Sequence, residues 1–248
     1  MMLRPSSINQ ISQKPSLYNY LSRLPGQVLF MPMDDAAGSV TARILKLSGV
    51  TSAPISGATP GTTPGVDDTT CFSFDGVNDF VNYYSTQLNA AFNRSECTIN
   101  LFFKMRNAAA WTAATVRTMF AIRASGVDLL EFTKTATSGQ FNFNFSLGGV
   151  NKSVLVNGLS SLNFLMYTFA WSKSNDRARA YINAAQQGTT QTGLGTWNVF
   201  NLSSGNCVFG CANTSAASPS NGFGAYLNIF NRELSPYEIA QIYDASAY

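Results

Sequence analysis

The stretch Cys71-Phe-Ser-Phe-Asp-Gly-Val-Asn-Asp-Phe-Val-Asn-Tyr-Tyr84 sets two short aromatic runs on either side of a turn. Phe72 and Phe74 precede Asp75-Gly76-Val77-Asn78, and Phe80 and Val81 follow it, so the apolar alternation of a strand enters a Gly-containing turn and leaves it again. The pattern predicts a β-hairpin. Short aromatic strands need a second sheet over their apolar face, and the expected architecture is therefore a two-sheet antiparallel sandwich.

Three further segments agree with it. Val28-Leu-Phe-Met-Pro-Met-Asp-Asp-Ala-Ala-Gly-Ser39 is an apolar run that ends in acidic residues and a small-residue turn. Tyr167-Thr-Phe-Ala-Trp-Ser172, followed by Arg177-Ala-Arg-Ala-Tyr-Ile-Asn183, reads as a strand pair, and Ile229-Phe-Asn-Arg-Glu-Leu-Ser-Pro-Tyr-Glu-Ile239 as a strand leading into a helix. Together with 71–84, and in this order, these segments resemble the laminin-G-like domains of the concanavalin A-like lectin/glucanase jelly-roll superfamily. The resemblance runs from Gln27 to Asp244. It implies a jelly roll, lectin-like binding and, as in many members, a calcium ion held by acidic and carbonyl oxygens at loop ends.

Working along the rest of the chain, strands are predicted over 97–104, 117–123, 127–133, 140–147, 153–156, 165–171 and 177–183. In 140–147, Phe141, Phe143 and Phe145 alternate with Asn142, Asn144 and Ser146, which gives one greasy face and one wet face. The segment 48–68, rich in Gly, Pro, Ser and Thr, reads as a long surface loop. Ser235, Pro236 and Glu238 form a Ser-x-x-Glu capping box that opens a closing helix, with Ile239, Ile242 and Tyr243 as its docking stripe. No internal repeat is present. The division expected is an N-terminal arm over 1–26 and a jelly-roll domain over 27–248.

The arm carries Pro5, Pro15 and Pro25 and has no strand alternation. Ser16 can cap a short helix holding Leu17, Tyr18, Leu21 and Leu24. Such a helix ahead of a complete sandwich either packs on its own domain or anchors the protein to a partner chain. The second alternative makes these four residues partner-anchoring and the protein oligomeric.

Composition excludes several functions. With 16 Lys and Arg against 13 Asp and Glu, the net charge of +3 is scattered, with no basic run to follow a phosphate backbone, so nucleic acid is not the expected partner. No apolar stretch reaches the roughly 18 residues that span a bilayer. Met1 to Gln10 lacks an apolar core of the secretory kind. Charged residues are only 12% of the chain, a composition suited to work outside cells. A virion component of bacteriophage type, made in a host cytoplasm and displaying its jelly roll for capsid decoration or host attachment, reconciles the two. A secreted cellular lectin is the alternative, and a glycoside hydrolase a third.

The absence of His removes the usual nucleophile and acid-base arrangements. Paired carboxylates remain open to a glycosidase, but Asp128 and Glu131 have opposite strand parity, and no Glu-x-Asp-x-Glu array is present. No enzyme is expected. Cys71, Cys97, Cys207 and Cys211 read as buried thiols, too few for a disulfide scaffold; Cys207 and Cys211 would lie roughly 13 Å apart in an extended chain. The candidate calcium ligands are Asp75, Asn78 and Asp79, which alternatively serve the turn by side-chain to backbone bonds. In the resemblance, acidic residues are expected where Ala225-Tyr226-Leu227-Asn228 stands. Trp111 and Trp197, in polar surroundings, and Tyr226 are candidates to stack on sugar rings; alternatively the tryptophans cover a sandwich edge.

Overall fold

A computed structural model describes residues 16–124, 128–196 and 201–246. In chain order the elements are α1 (Leu17–Leu21), β1 (Gln27–Met31), β2 (Thr41–Arg43), β3 (Ser52–Ser56), β4 (Thr59–Thr62), β5 (Cys71–Asp75), β6 (Phe80–Asn82), α2 (Thr86–Ala91), β7 (Glu96–Met105), α3 (Ala108–Thr112) and β8 (Arg117–Arg123). They continue with β9 (Leu129–Lys134), β10 (Phe141–Leu147), β11 (Val150–Val156), β12 (Leu165–Ser172), β13 (Arg177–Ile182), β14 (Ala185–Gln191), β15 (Cys207–Phe209), β16 (Asn221–Phe230) and α4 (Pro236–Ser246). One sheet runs β14-β13-β12-β7-β16-β5-β4, with β1 also on β16; the other runs β11-β10-β9-β8-β15-β6-β3-β2. Every pairing is antiparallel, and the two sheets form the expected sandwich.

Aromatic rings from facing strands fill the space between the sheets. Phe143 of β10 lies 5.0 Å from Phe132 and 6.2 Å from Phe169, and Phe145 lies 5.9 Å from Trp171. This is the greasy face that the 140–147 alternation predicted. At Gly224 the rings of Phe209 and Phe74 occupy the space a Cβ would need, so a side chain there would displace the core.

The predicted 71–84 hairpin is not one. β5 pairs with β16 and β4 in one sheet, while β6 pairs with β15 and β3 in the other, so 76–79 arches across the sandwich. The reason is local. The Asp79 carboxylate accepts the backbone N–H of Asp75 at 2.7 Å, and the Asp75 carboxylate accepts that of Val77 at 2.7 Å, so side chains take up donors that a hairpin ladder would use. The expected loop over 48–68 also contains structure, β3 and β4. Both are short and rich in Ser, Thr, Pro and Gly, with only Ala53 and Ile55 of β3 reaching the core, so they lack the run of large apolar residues that marks core strands.

The outer face of the β7/β16 sheet is covered by the chain's own helices. Leu17 and Leu21 of α1 and Ile239 and Ile242 of α4 pack with Phe30, Phe102, Tyr226 and Phe230 in a second apolar cluster. Beside it, amides engage one another across strands: Gln27 Nε2 donates to Asn228 Oδ1 at 2.6 Å, Asn228 Nδ2 to Asn100 Oδ1 at 3.2 Å, and Asn100 Nδ2 to Thr168 Oγ1 at 2.8 Å. The α4 capping box forms as expected: Glu238 N–H donates to Ser235 Oγ at 3.2 Å, and Ser235 N–H to Glu238 Oε2 at 2.9 Å. Arg177 and Arg179 of β13 fix the approach to α4 by gripping Glu233 at 2.8 and 2.6 Å.

Candidate functional site

With one outer face closed by α1 and α4, the corresponding face of the β8–β11 sheet becomes the open one. Because Phe141, Phe143 and Phe145 point inward, Asn142 and Asn144 of β10 point outward. Register aligns Asn144 with Glu131 and Ser153, and Asn142 with Thr133 and Leu155. On β8, Ala121 continues the first row opposite Glu131 and Thr118 the second opposite Thr133, while Arg123 stands opposite Leu129. On the far side the segment after β15 folds over the face, where Cys211 packs on Ala121, Val208 and Phe80.

The charges within this face cancel. Arg123 Nε donates to Glu131 Oε1 at 2.9 Å, and the same guanidinium makes a second contact through Nη2. Asp128 is buried at the edge, where its carboxylate accepts the Gly148 N–H. The asparagines are free by comparison. Among the described residues neither Asn142 nor Asn144 makes a side-chain hydrogen bond, whereas Asn100 and Asn228 on the covered sheet are engaged. Two unengaged amides stand about 7 Å apart along one strand, with Leu155 half exposed beside Asn142; Asn142 Oδ1 is itself buried, so the pair offers its two amide NH₂ groups, the Asn144 oxygen and an apolar shoulder.

The aromatic candidates do not lie on this face. Trp111 is 1% exposed in α3, and its Nε1–H donates to Ser161 O at 2.8 Å, so it closes one end of the core instead of offering a ring to solvent. Tyr226 is also 1% exposed, 6.3 Å from Phe30 and 6.1 Å from Phe102; it sits at a bulge in β16, with φ of 52°. Burial pushes its hydroxyl up to about 12. The expectation of an exposed stacking ring is corrected for both residues. Trp197 lies outside the described residues.

Asp75, Asn78 and Asp79 share one turn, but the carboxylates of Asp75 and Asp79 are turned to backbone N–H groups. Asp79 is buried beside Gly57, and burial raises its carboxyl above the ordinary value. Among the described residues no three His, Cys, Asp or Glu side chains converge as a metal site. The partner-anchoring residues are corrected as well. Leu17 and Leu21 are fully buried in the chain's own second cluster, Tyr18 lies 5.5 Å from Phe30, and Leu24 packs at the cluster margin. The Leu17 N–H is taken by Asp67 Oδ2 at 2.9 Å. All four thiols are free and buried.

Residues 67–240 match the family described as the concanavalin A-like lectin/glucanases superfamily. No curated protein matches the chain. Among solved structures, the binding domain of botulinum neurotoxin serotype D is similar, with a TM-score of 0.63 at 13% identity, over 88% of this chain and 50% of that one. The same domain in complex with N-acetylneuraminic acid gives 0.63 at 13%, over 88% and 50%. The binding domain of botulinum neurotoxin DC in complex with rat synaptotagmin II gives 0.63 at 12%, over 90% and 52%. The chain thus spans about half the length of these structures, and at such identities the likeness is one of fold.

Proposed function

This chain belongs to the concanavalin A-like lectin/glucanase superfamily, and we propose that it is a non-catalytic binding module that takes a neutral glycan on the outer face of the β8–β11 sheet. The observation that carries this is the pair of unengaged amides, Asn142 and Asn144, on an outer sheet face that no helix among the described residues covers. The Asn142 and Asn144 amide nitrogens can donate to sugar hydroxyls and Asn144 Oδ1 can accept from them, and half-exposed Leu155 supplies apolar surface for a ring C–H face. The Arg123–Glu131 pair holds its own charges, which favours an uncharged ligand over an acidic one. Glycan and protein receptors appear among the complexes of the similar toxin domains, and this supports a binding role for the fold.

No catalytic role is included, because the carboxylates near this face are committed: Glu131 to Arg123, and Asp128 to Gly148. The setting proposed for the module is display on a virion, for attachment to a surface glycan. Its charge-poor composition supports that setting. With Leu17 and Leu21 spent inside the chain, attachment to the particle would fall to other residues. Co-sedimentation with assembled particles tests the setting separately from the site.

The site is tested on a glycan array covering neutral and sialylated oligosaccharides, with the hit then titrated against the wild type and Asn142→Ala/Asn144→Ala. Saturable binding that the double variant weakens about tenfold or more, at an unchanged thermal midpoint, is expected from the loss of two polar contacts. Binding that the variant leaves intact, or binding only to a protein receptor, overturns the proposal.

A further inference from the structure

A second place on the molecule has the form of a ligand site and lies away from the amide face. Between β1, the turn after β2 and α2 there is a surface cleft of about 480 Å³. Its apolar lining is Val28, Leu47, Ala90 and Ala91; its polar lining includes Lys46 and Gln87. It is an open surface cleft, with Lys46, Ser48, Gln87 and Ala90 exposed along it, and its size falls within the range of clefts that seat small organic molecules.

The walls are fixed before any ligand arrives. The turn is tied to β1 by Phe30 N–H to Leu45 O at 2.9 Å and Leu45 N–H to Phe30 O at 2.8 Å, and it is closed by Ile44 N–H to Thr51 O at 2.8 Å. On the other side, Ser85 Oγ accepts the Leu88 N–H at 3.0 Å to start α2, and Asn89 Oδ1 accepts the Leu202 N–H at 2.8 Å to hold it down. Lys46, exposed and lining the cleft, has φ of 72°, a left-handed backbone that a non-glycine residue adopts at a cost. Among the described residues its ammonium belongs to no ion pair, and no Asp or Glu lines the cleft. One unneutralised cation beside an apolar floor, with an amide near it, is complementary to one kind of small molecule.

From this geometry we infer that the cleft binds a small amphipathic carboxylate, with its alkyl or aryl body on Val28, Leu47, Ala90 and Ala91 and its anionic end on Lys46. The amide of Gln87 can donate to the second carboxylate oxygen. The inference is independent of the glycan face, since the two share no residue.

The test is calorimetric titration with 4-phenylbutyrate and octanoate and with their neutral amides, alongside backbone amide shift mapping of the full chain. Expected are saturable binding of an acid with shifts centred on Val28, Leu47 and Ala90, and affinity about tenfold lower in Lys46→Met for the acid but unchanged for its amide. Ala90→Leu, which keeps a good helix former while filling the floor, should remove binding of both at an unaltered thermal midpoint. No saturable binding of either acid, shifts centred elsewhere, or an acid affinity indifferent to Lys46→Met overturns the inference.

Discussion

Leu21→Ala decides whether α1 is part of the fold or an anchor for something else. The side chain is fully buried, and the other members of its cluster include Phe30, Tyr226, Phe230 and Ile242. Truncating a buried leucine costs about 2–5 kcal/mol, set by how far the site can collapse. A ceiling applies here, because α1 has only five residues and no stability of its own; once its docking energy is spent it can lift off while the sandwich keeps its core. What opposes lifting is the Asp67 bond to the Leu17 N–H, the Ser16 cap and the packing of Tyr18 on Phe30 under Arg43. The lower half of the range, about 2–3 kcal/mol, is therefore expected. For a domain of this size that amounts to a fall in thermal midpoint of roughly 4–12 °C, measurable by scanning calorimetry. Exposed Asn19 on the same helix is the control, and Asn19→Ala should shift the midpoint little. A Leu21→Ala protein that melts with the wild type but no longer joins its assembly would refute the own-core argument and restore the anchoring one.

Four other outcomes follow from named contacts. Ser235→Ala removes an acceptor of the Glu238 N–H and should cost on the order of 1 kcal/mol in urea unfolding. The hydrogen bond from Arg232, opposed by burial and helped by Ser235, lowers the Glu238 carboxyl from 4.5 to about 2. A folded pKa below the unfolded one gives stability that is present above about 4.5 and lost as pH falls towards about 2, so the stability gap between wild type and Glu238→Gln should close across that acid window. Cys71, Cys97, Cys207 and Cys211 should resist a thiol reagent at pH 8 in the native protein, since burial raises all four and pushes Cys207 up to about 12; four equivalents should react in denaturant. Millimolar calcium should leave the thermal midpoint in place, whereas Asp79→Ala should lower stability by about 1–3 kcal/mol through the orphaned Asp75 N–H; a calcium-dependent rise in midpoint would assign the turn to the metal instead.

Much of the fold was legible wherever one local rule had no competitor. The alternation of Phe141, Phe143 and Phe145 placed β10, and the Ser235/Glu238 box placed the start of α4 within a residue. The 71–84 segment shows the limit of such rules. Its strands were found, but a Gly-containing turn between aromatic runs fits a hairpin and an inter-sheet arch equally well; the choice is made by β16 and β15, which pair with β5 and β6 from more than a hundred residues away. β3 and β4 escaped because they are short and lie among Ser, Thr, Pro and Gly, and the small contribution of Ala53 and Ile55 to the core is too slight an apolar pattern to announce a strand.

The site divides in the same way. Choosing tryptophans in polar surroundings led to Trp111 and Trp197, yet a tryptophan flanked by alanines and threonines is equally suited to plug a sandwich end, and Trp111 does so. Polar neighbours report what lies beside a residue in the chain, while burial depends on what folds over it. The asparagines make the point more sharply. Asn100 lies among the aromatic and aliphatic residues of β7 and Asn144 among the phenylalanines of β10, and sequence pattern gives both as a polar position on an apolar strand. One ends in a buried amide ladder and the other on an open face, because α1 and α4 come back from the two ends of the chain to cover the first sheet and leave the second. A polar alternation in sequence can therefore identify a face able to bind, but the leucines and isoleucines of remote helices determine which such face remains available.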